Sequence, residues 1–337
     1  MGETAVAMVG IDQQGADGAP GVKAPELSIV VPVLNEEQAL PLFVERLSPM
    51  LSALTPAWEI VVVDDGSQDG TMDALRAACA QDPRIRGVKL SRNFGKEAAL
   101  TAGLAASRGA AVVPMDVDLQ DPPELLAEFW RLWKMGAADT IVGQRTVRES
   151  DSWMKRRTAG MFYRVFNAVS AHKISENAGD FRLMDRKVVD ATLLLREKNR
   201  FMKGLFAWVG FRTVAVPYTR PSRSVGVSKF NYWKLWNFAL DGITGYSTVP
   251  LRVWTYVGSV VAALAFLWAL VVGVKALVFG VDTPGYPSLM IAVLFLGGIQ
   301  LVSMGVLGEY LGRLYMESKN RPLYIVESEV GDAPERG

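Results

Sequence analysis

The sequence is nearly devoid of cysteine and histidine, with one of each among its 337 residues. This scarcity argues against a disulfide scaffold, a zinc site made of Cys and His ligands, and catalysis by a Cys–His pair. Cys79 lies in an alanine-rich helical pattern that predicts a small core residue. His172 lies in a polar stretch, where we expect a surface or packing role. The chemistry of this protein must therefore come from carboxylates, amides, hydroxyls and basic side chains.

Net charge is also nearly absent, because 36 Lys and Arg residues balance 35 Asp and Glu residues to a formal charge of +1. A chain without excess charge has no global attraction for nucleic acid, so we expect no nucleic-acid partner. Residues 1–25 have neither the charged start nor the apolar core of a signal peptide, and their Gly, Ala, Gln and Asp content predicts a disordered tail.

Two common nucleotide-binding signatures are missing. The segment Val33-Leu34-Asn35-Glu36-Glu37 stands where a dinucleotide fold would need Gly-x-Gly-x-x-Gly after its first strand, so a Rossmann oxidoreductase is disfavoured. The Walker pattern Gly-x-x-x-x-Gly-Lys-Ser/Thr is absent as well, which excludes a P-loop NTPase.

Short apolar, β-branched runs alternate with helical patterns in the first 145 residues. Helices are predicted over residues 35–54, 72–80 and 96–107, and a further one after Pro122. This alternation predicts an α/β domain with a parallel, doubly wound sheet, which we place at residues 26–230. The predicted strands are Leu27–Val33, Glu59–Val63, Ile85–Leu90, Ala110–Met115 and Thr140–Gly143.

The segment Met115–Pro123 places two carboxylates, Asp116 and Asp118, at the end of a predicted buried strand. An open α/β sheet binds its ligand at the carboxyl ends of its strands. Two carboxylates and the amide of Gln120 suit a hard cation such as Mg²⁺ or Mn²⁺, which in turn binds a diphosphate. The pattern is equally compatible with a helix cap or a solvated turn, and Asp121 is the residue we predict to cap the next helix.

Residues 145–230 are more basic and less periodic than the preceding part. The run that includes Arg145, Arg156 and Arg157 has the composition of a solvated face or of an anion site. Arg223, Ser228 and Lys229 surround Gly226, and this composition is typical of phosphate binding, with Arg as a bidentate donor.

Long apolar runs are concentrated near the C-terminus. Residues 231–252 carry Trp and Tyr at helical spacing, which predicts amphipathic interfacial helices. Residues 253–275 and 286–309 are each long enough to cross a bilayer and predict a transmembrane hairpin within residues 253–311. Lys and Arg flank the hairpin outside its loop, so the positive-inside rule predicts that both termini, the catalytic domain and the tail at 312–337 are cytoplasmic.

Six short motifs follow one another along the chain. They are Val31-Pro-Val-Leu-Asn-Glu-Glu37, Val63-Asp-Asp-Gly-Ser-Gln-Asp-Gly-Thr71, Arg92-Asn-Phe-Gly-Lys96, Asp116-Val-Asp-Leu-Gln-Asp-Pro-Pro123, Asn177-Ala-Gly-Asp-Phe-Arg182 and Gly226-Val-Ser-Lys-Phe230. This ordered set resembles the family-two glycosyltransferases of the polyprenyl-phosphate branch. From about Leu27 to Val326 the chain is similar to bactoprenol (undecaprenyl-phosphate) glucosyltransferases, which are related to dolichyl-phosphate mannose synthase. One departure is Val117, which stands where Ala is commoner.

The resemblance implies a GT-A fold, a divalent metal (Mg²⁺ or Mn²⁺) and a role for each matching residue. The metal would be ligated by Asp118 and Gln120, and the catalytic set would comprise Asp116, Asp118, Asp180 and Arg223. Asp180 would either act directly or orient Arg182 or the sugar. The nucleotide sugar would contact Pro32, Asn35, Glu37, Asp65, Asn93, Lys96, Asp116, Ser228 and Lys229. The acceptor phosphate would contact Arg145, Arg156, Arg157 and Arg182.

The function implied is inverting transfer of one hexose, glucose by similarity, from a UDP-sugar to undecaprenyl phosphate at the bacterial plasma membrane. UDP-galactose, UDP-N-acetylglucosamine, an aminoarabinose donor and GDP-mannose are the alternative donors. A processive polysaccharide synthase would carry Gln-x-x-Arg-Trp, which the sequence lacks, and a non-catalytic nucleotide-sugar-binding scaffold is the third alternative. The resemblance and the hairpin also predict a homo-oligomer, with a tetramer as the expected form.

Overall fold

The computed structural model describes residues 24–145, 178–198, 200, 202–218 and 285–331, together with scattered positions between 256 and 279. The predicted N-terminal tail, the interfacial helices and most of the first predicted span lie outside these residues.

Four buried strands form the centre of the sheet, as the sequence predicts. Strands β1 (Leu27–Val33), β2 (Trp58–Asp64), β3 (Ile85–Leu90) and β4 (Ala111–Pro114) pair in parallel in the order β4-β1-β2-β3. Their side chains are apolar on both faces because helices cover the sheet on both sides.

The outer strands make the sheet mixed, which the prediction of a parallel sheet did not include. Strand β5 (Thr140–Arg145) leaves a gap that β6 (Ala178–Asp185) fills, antiparallel to both β4 and β5, and β7 (Thr213–Tyr218) adds in parallel to β5. Strand β8 (Val326–Val330) pairs antiparallel with β3, within a segment predicted as a tail. The sheet order is therefore β7-β5-β6-β4-β1-β2-β3-β8.

The two faces of the sheet carry different helices. Helix α1 (Ala39–Leu54) buries Leu40, Phe43, Leu47 and Leu51 at spacings of one turn. With α2 (Thr71–Gln81) and α4 (Leu125–Lys134) it covers the face to which Ile29 points, and half-buried Cys79 packs at this cluster as predicted.

Helix α3 (Lys96–Ala106) lies on the opposite face with α5 (Arg186–Leu194) and α6 (Met202–Trp208). Every residue of α3 from Ala98 to Leu104 is buried, and a Cβ added at Gly103 would lie 2.3 Å from Val30. Small residues therefore let α3 approach the sheet closely, which fixes the position of its first residue, Lys96.

Helix α7 (Tyr286–Ser318) is 33 residues long, and it continues beyond the predicted span end at residue 309. Its stretch Phe295–Ser318 is the one helix among the described residues that is long and apolar enough to cross a membrane, and none of its most apolar window is buried. At its C-terminal end, Glu317 accepts a hydrogen bond from the backbone N–H of Lys198 at 2.8 Å. This contact joins the apolar helix to the connection between α5 and α6.

A buried ion pair lies at the edge of the sheet where β1 and β2 begin. Glu59 accepts two hydrogen bonds from Arg86, the shorter at 2.7 Å, and both side chains are less than a tenth exposed. The same carboxylate accepts from the hydroxyl of Ser28 at 2.5 Å and from the backbone N–H of Arg108 at 2.6 Å. One carboxylate thus fixes β1, β2, β3 and the connection into β4.

We predict that Glu59→Ala lowers the free energy of unfolding by about 3–5 kcal/mol, because it leaves the Arg86 guanidinium buried without its charge partner. Chemical denaturation of the detergent-solubilised protein measures this loss. The control is Arg46→Ala, which breaks a pair with Glu124 whose side chains are 56% and 59% exposed, and it should cost no more than about 1 kcal/mol. Equal effects of the two substitutions would show that the Glu59 network is not a stabilising centre.

Candidate donor site

A cavity of about 280 Å³ opens at the carboxyl ends of β1, β2 and β4. Four carboxylates and one ammonium group lie in its lining, so the cavity is strongly acidic. This is the edge of the sheet at which the sequence predicted a site. The lining comprises Pro32, Val33, Leu34, Glu36, Asp65, Asn93, Gly95, Lys96, Ala99, Asp116, Val117 and Asp118.

The two loops after β1 and β2 bind each other through reciprocal hydrogen bonds. Asn35 donates its backbone N–H to the hydroxyl of Ser67, and its side-chain oxygen accepts the backbone N–H of Gln68, both at 2.8 Å. Glu37 accepts the backbone N–H of Gly70 at 2.9 Å. Asn35 and Glu37, which the sequence assigned to the nucleotide, are thus used by the loops themselves and do not line the cavity.

Glu36 is the charged residue of the described cavity lining that the sequence analysis missed. Asn35 adopts the left-handed conformation, with φ of 56°, which asparagine tolerates better than most residues. The chain direction changes there, so Glu36 lines the cavity while Glu37 faces Gly70. Nothing in the sequence shows which of the two adjacent glutamates lines the cavity. The backbone conformation at Asn35 distinguishes them in the structure.

Asp65 holds the loop that precedes α3. Its two carboxylate oxygens accept the backbone N–H groups of Phe94 at 2.7 Å and Gly95 at 2.9 Å, and the residue is 4% exposed. Gly95 has φ of 98°, a conformation suited to glycine. Gly66 packs against this loop so closely that an added Cβ would lie 2.6 Å from the backbone of Arg92.

Burial, together with neighbouring carboxylates, raises the pKa of two groups in the cavity. Burial is the largest influence on the pKa of Asp65 and raises it, while the backbone hydrogen bonds from Phe94 and Gly95 and the charge of Arg92 lower it. The adjacent Asp64 also raises this pKa, and the net shift is upward. Burial also raises the pKa of Glu36, and the charges of Asp118 and Asp69 raise it further. The proximity of Glu36 to Asp118 shows that the cavity concentrates negative charge, which favours a cation.

The turn after β4 presents the two aspartates differently. Asp116 is half-buried and Asp118 is exposed, while Leu119 has φ of 51°. A branched non-glycine residue in this region costs about 1–3 kcal/mol, and such strain is found mainly at functional sites. The carboxylate of Asp118 accepts the backbone N–H of Gln120 at 3.1 Å, which fixes the turn from within.

Lys96 forms an ion pair with Asp116 across the cavity. The ammonium nitrogen lies 2.6 Å from one carboxylate oxygen and 2.9 Å from the other. The side chains are 48% and 38% exposed, and pairs of this exposure contribute only about 0–1 kcal/mol. Lys96 is the only cationic residue in the described lining of the cavity.

Asp121 is not the helix cap that the sequence predicted. Helix α4 begins at Leu125 with Glu124 at the cap position, and no side chain caps it. Asp121 is instead 6% exposed and accepts a hydrogen bond from the hydroxyl of Tyr218 at 2.5 Å. It also lines a small cavity behind the Lys96–Asp116 pair. The turn after β4 is therefore tied to the end of β7.

Of the residues predicted to bind phosphate or to act in catalysis beyond the turn after β4, the structure describes Arg145, Asp180 and Arg182. Arg182 is 6% exposed and its guanidinium stacks on Phe206 at 4.1 Å, so it lies in the packed interior and not in the cavity lining. Arg145 and Asp180 lie on β5 and β6. The remaining predicted contacts, which lie outside the described residues, are Arg156, Arg157, Arg223, Ser228 and Lys229.

The carboxylate oxygens in the cavity lining are suitable ligands for a divalent metal that binds together with a diphosphate. No group of three or more His, Cys, Asp or Glu side chains in the described part of the chain is arranged to hold a metal ion on its own. Mg²⁺, however, is commonly bound through one or two carboxylates plus substrate phosphates. Asp118 and its neighbour Asp116 offer this number of carboxylates, whereas Gln120 lies in the same turn outside the cavity lining.

Comparison with known proteins agrees with this geometry. The model of glycosyl transferase family 2 matches residues 28–193, and the model of the GtrB C-terminal hairpin matches residues 249–314. A bactoprenol glucosyl transferase of Shigella phage SfV is 50% identical over 304 residues, which cover 90% of this chain and 99% of that protein.

Two further relatives show the same extent of similarity. A prophage bactoprenol glucosyl transferase homolog of Escherichia coli K12 is 48% identical over 302 residues, covering 90% of this chain and 98% of that protein. An uncharacterized glycosyltransferase of Synechocystis is 52% identical over 301 residues, covering 89% and 94%.

An acidic cavity at the strand ends of a mixed α/β sheet, with an Asp-x-Asp turn in its lining, defines a GT-A-type glycosyltransferase. The chain belongs to glycosyl transferase family 2, and the resemblance stated from its motifs is confirmed.

We predict a pH dependence that comes from Asp65. Since its pKa is raised in the folded state, its protonated form stabilises the fold below the unfolded pKa, and this contribution is lost as pH rises through the folded pKa. The unfolding free energy of the wild type relative to Asp65→Asn should therefore fall as pH rises from about 4 towards neutrality. Denaturant unfolding of both proteins across this range measures the difference, and a difference that rises with pH would contradict the assignment.

We also predict that Tyr218→Phe lowers the free energy of unfolding by about 1–3 kcal/mol, because buried Asp121 loses a hydrogen-bond donor while the ring packing against Phe181 remains. Denaturant unfolding measures the loss. In an Asp121→Asn background, where the acceptor is no longer charged, the same substitution should cost less. An equal cost in both backgrounds would argue against a charge-assisted bond.

Proposed function

We propose that this glycosyltransferase transfers a single hexose, glucose, from a UDP-sugar to undecaprenyl phosphate at the cytoplasmic face of the bacterial plasma membrane. One observation carries the proposal: the predicted donor-site residues Asp65, Lys96, Asp116 and Asp118 converge on one cavity, in a chain that continues into a long apolar helix. The names of the bactoprenol glucosyl transferase relatives support glucose as the transferred sugar and a bactoprenol acceptor.

The charge of the cavity supports a donor that arrives with a divalent cation. Four carboxylates in the lining would repel a free diphosphate, whereas Mg²⁺ or Mn²⁺ held by Asp118 and its neighbours would attract it. When bound, the metal would stabilise the negative charge that develops on the leaving nucleoside diphosphate. Lys96 supplies a second positive charge within the same cavity.

The acceptor explains why the chain needs no histidine or cysteine base. A phosphate monoester has a second pKa of about 6, so a polyprenyl phosphate is already an anionic nucleophile near neutral pH. The enzyme must then align this oxygen with the anomeric carbon and stabilise the leaving group. A single in-line displacement of this kind inverts the configuration at the anomeric carbon.

Because the proposed acceptor is a lipid, the reaction must take place at the membrane surface. Helix α7 would cross the bilayer as the second arm of the hairpin at residues 253–311, which supports the reaction at the membrane surface. The excess of Lys and Arg outside the hairpin loop supports a cytoplasmic catalytic domain with both termini on that side. A homo-oligomer, with the tetramer as its form, remains a prediction from the resemblance.

The test is a transfer assay with membranes that contain the full chain, undecaprenyl phosphate, Mg²⁺ and UDP-glucose labelled in the glucosyl group. We expect labelled lipid in the organic phase, and Asp118→Ala should lower the rate by at least about 100-fold, as the loss of one charge-stabilising group does in other active sites. UDP-galactose, UDP-N-acetylglucosamine and GDP-mannose in parallel reactions identify the sugar.

The matched control is Asp73→Ala, which removes an exposed carboxylate on α2 outside the cavity and should leave the rate unchanged. Labelled lipid from none of the nucleotide sugars would reject the enzymatic proposal. A wild-type rate in Asp118→Ala would remove Asp118 from the metal site.

A further inference from the structure

The Lys96–Asp116 ion pair places a protein cation on the carboxylate next to the predicted metal ligand Asp118. The ammonium nitrogen lies within 3 Å of both oxygens of Asp116. A divalent cation that shares these oxygens would stand close to the ammonium group and would be repelled by it. A metal bound at Asp116 would therefore compete with Lys96 for this carboxylate.

The Lys96–Asp116 ion pair can separate with little loss of stability. Both side chains are between a third and a half exposed, so little stabilisation is lost when the pair separates. Lysine has a flexible four-carbon stem, while its backbone is fixed at the start of α3 beyond the loop that Asp65 holds. The ammonium group can therefore move while its attachment point stays beside the cavity.

The diphosphate would give the displaced ammonium group a new anionic partner in the cavity. The other charged residues of the described lining are Glu36, Asp65 and Asp118. Asp65 uses both oxygens for backbone N–H groups, and Asp118 belongs to the turn predicted to hold the metal. The diphosphate that arrives with the metal is the anion within reach of the same cavity.

We infer that Lys96 is an exchanging counter-ion: it neutralises Asp116 in the empty site, and on donor loading it yields Asp116 to the metal and binds the diphosphate. This inference rests on the proposed function. Lys96 then has two opposite effects. It opposes binding of the metal alone, and it favours binding of the metal together with the nucleotide.

The experiment measures Mn²⁺ binding to the full-length protein in nanodiscs by electron paramagnetic resonance of free Mn²⁺, first without nucleotide and then with UDP, whose binding is followed by calorimetry. Lys96→Met should bind Mn²⁺ alone up to about fivefold more tightly, since a competing half-exposed ion pair is removed. In the presence of Mn²⁺ the same variant should bind UDP about tenfold more weakly, because a charge-assisted contact to phosphate is lost.

The matched control is Lys89→Met, which removes a lysine that pairs with Glu327 outside the cavity and should change neither constant. Unchanged or weaker Mn²⁺ binding by Lys96→Met would overturn the exchange, and so would unchanged UDP binding. If the wild type binds neither Mn²⁺ nor UDP, the proposed function itself fails. If the wild type binds both and Lys96→Met binds them equally well, only the exchange fails.

Discussion

The buried carboxylate of Asp65 is the constraint on which the site depends. It stands at the end of a strand that is buried on both faces, and its two oxygens hold the backbone of Phe94 and Gly95. Because these residues lead directly into α3, their position fixes where Lys96 begins the helix. The contact between Lys96 and Asp116 across the cavity is therefore a consequence of hydrogen bonds made by a third residue.

The described lining of the cavity combines four carboxylates with one cation, Lys96. Burial raises the pKa of Glu36, and the charges of Asp118 and Asp69 raise it further. Leu119, in the turn after β4, has a left-handed backbone conformation. Such an arrangement is unfavourable for an isolated fold, whereas the carboxylate of Glu59 at the opposite edge of the sheet is fully hydrogen-bonded in a buried network. The division of the sheet into a stabilising edge and a reactive edge follows from parallel strands, whose carboxyl ends all meet on one side.

The C-terminal part of the chain connects the apolar helix back to the catalytic sheet. After α7, the chain returns as β8 beside β3, and the carbonyl of Ile325 accepts the backbone N–H of Ser91. Ser91 opens the loop that Asp65 holds at its other end. The described contacts thus link the end of the membrane-spanning candidate to the loop that positions Lys96.

Much of the central fold could be predicted from the sequence, because β1 to β4 are apolar runs that only a doubly covered sheet can bury. Strand β6 carries Asp and Arg among its apolar residues, and β8 is almost wholly exposed, so neither shows the pattern of a buried strand. Their antiparallel direction depends on partners far away in the sequence, which no local pattern encodes.

The sequence by itself determined the residue types and the strand ends at which the acids stand, since these follow from local hydrophobicity and composition. The sequence could not decide which of two adjacent residues, such as Glu36 and Glu37, faces the cavity. The backbone turn at Asn35 brings Glu36 and not Glu37 to the cavity, and the alternation of strand β6 sends Arg182 into the core. Tertiary packing turned Asp121 from an expected cap into the partner of Tyr218. These choices depend on backbone direction and on long-range contacts, which arise only when the whole sheet has formed.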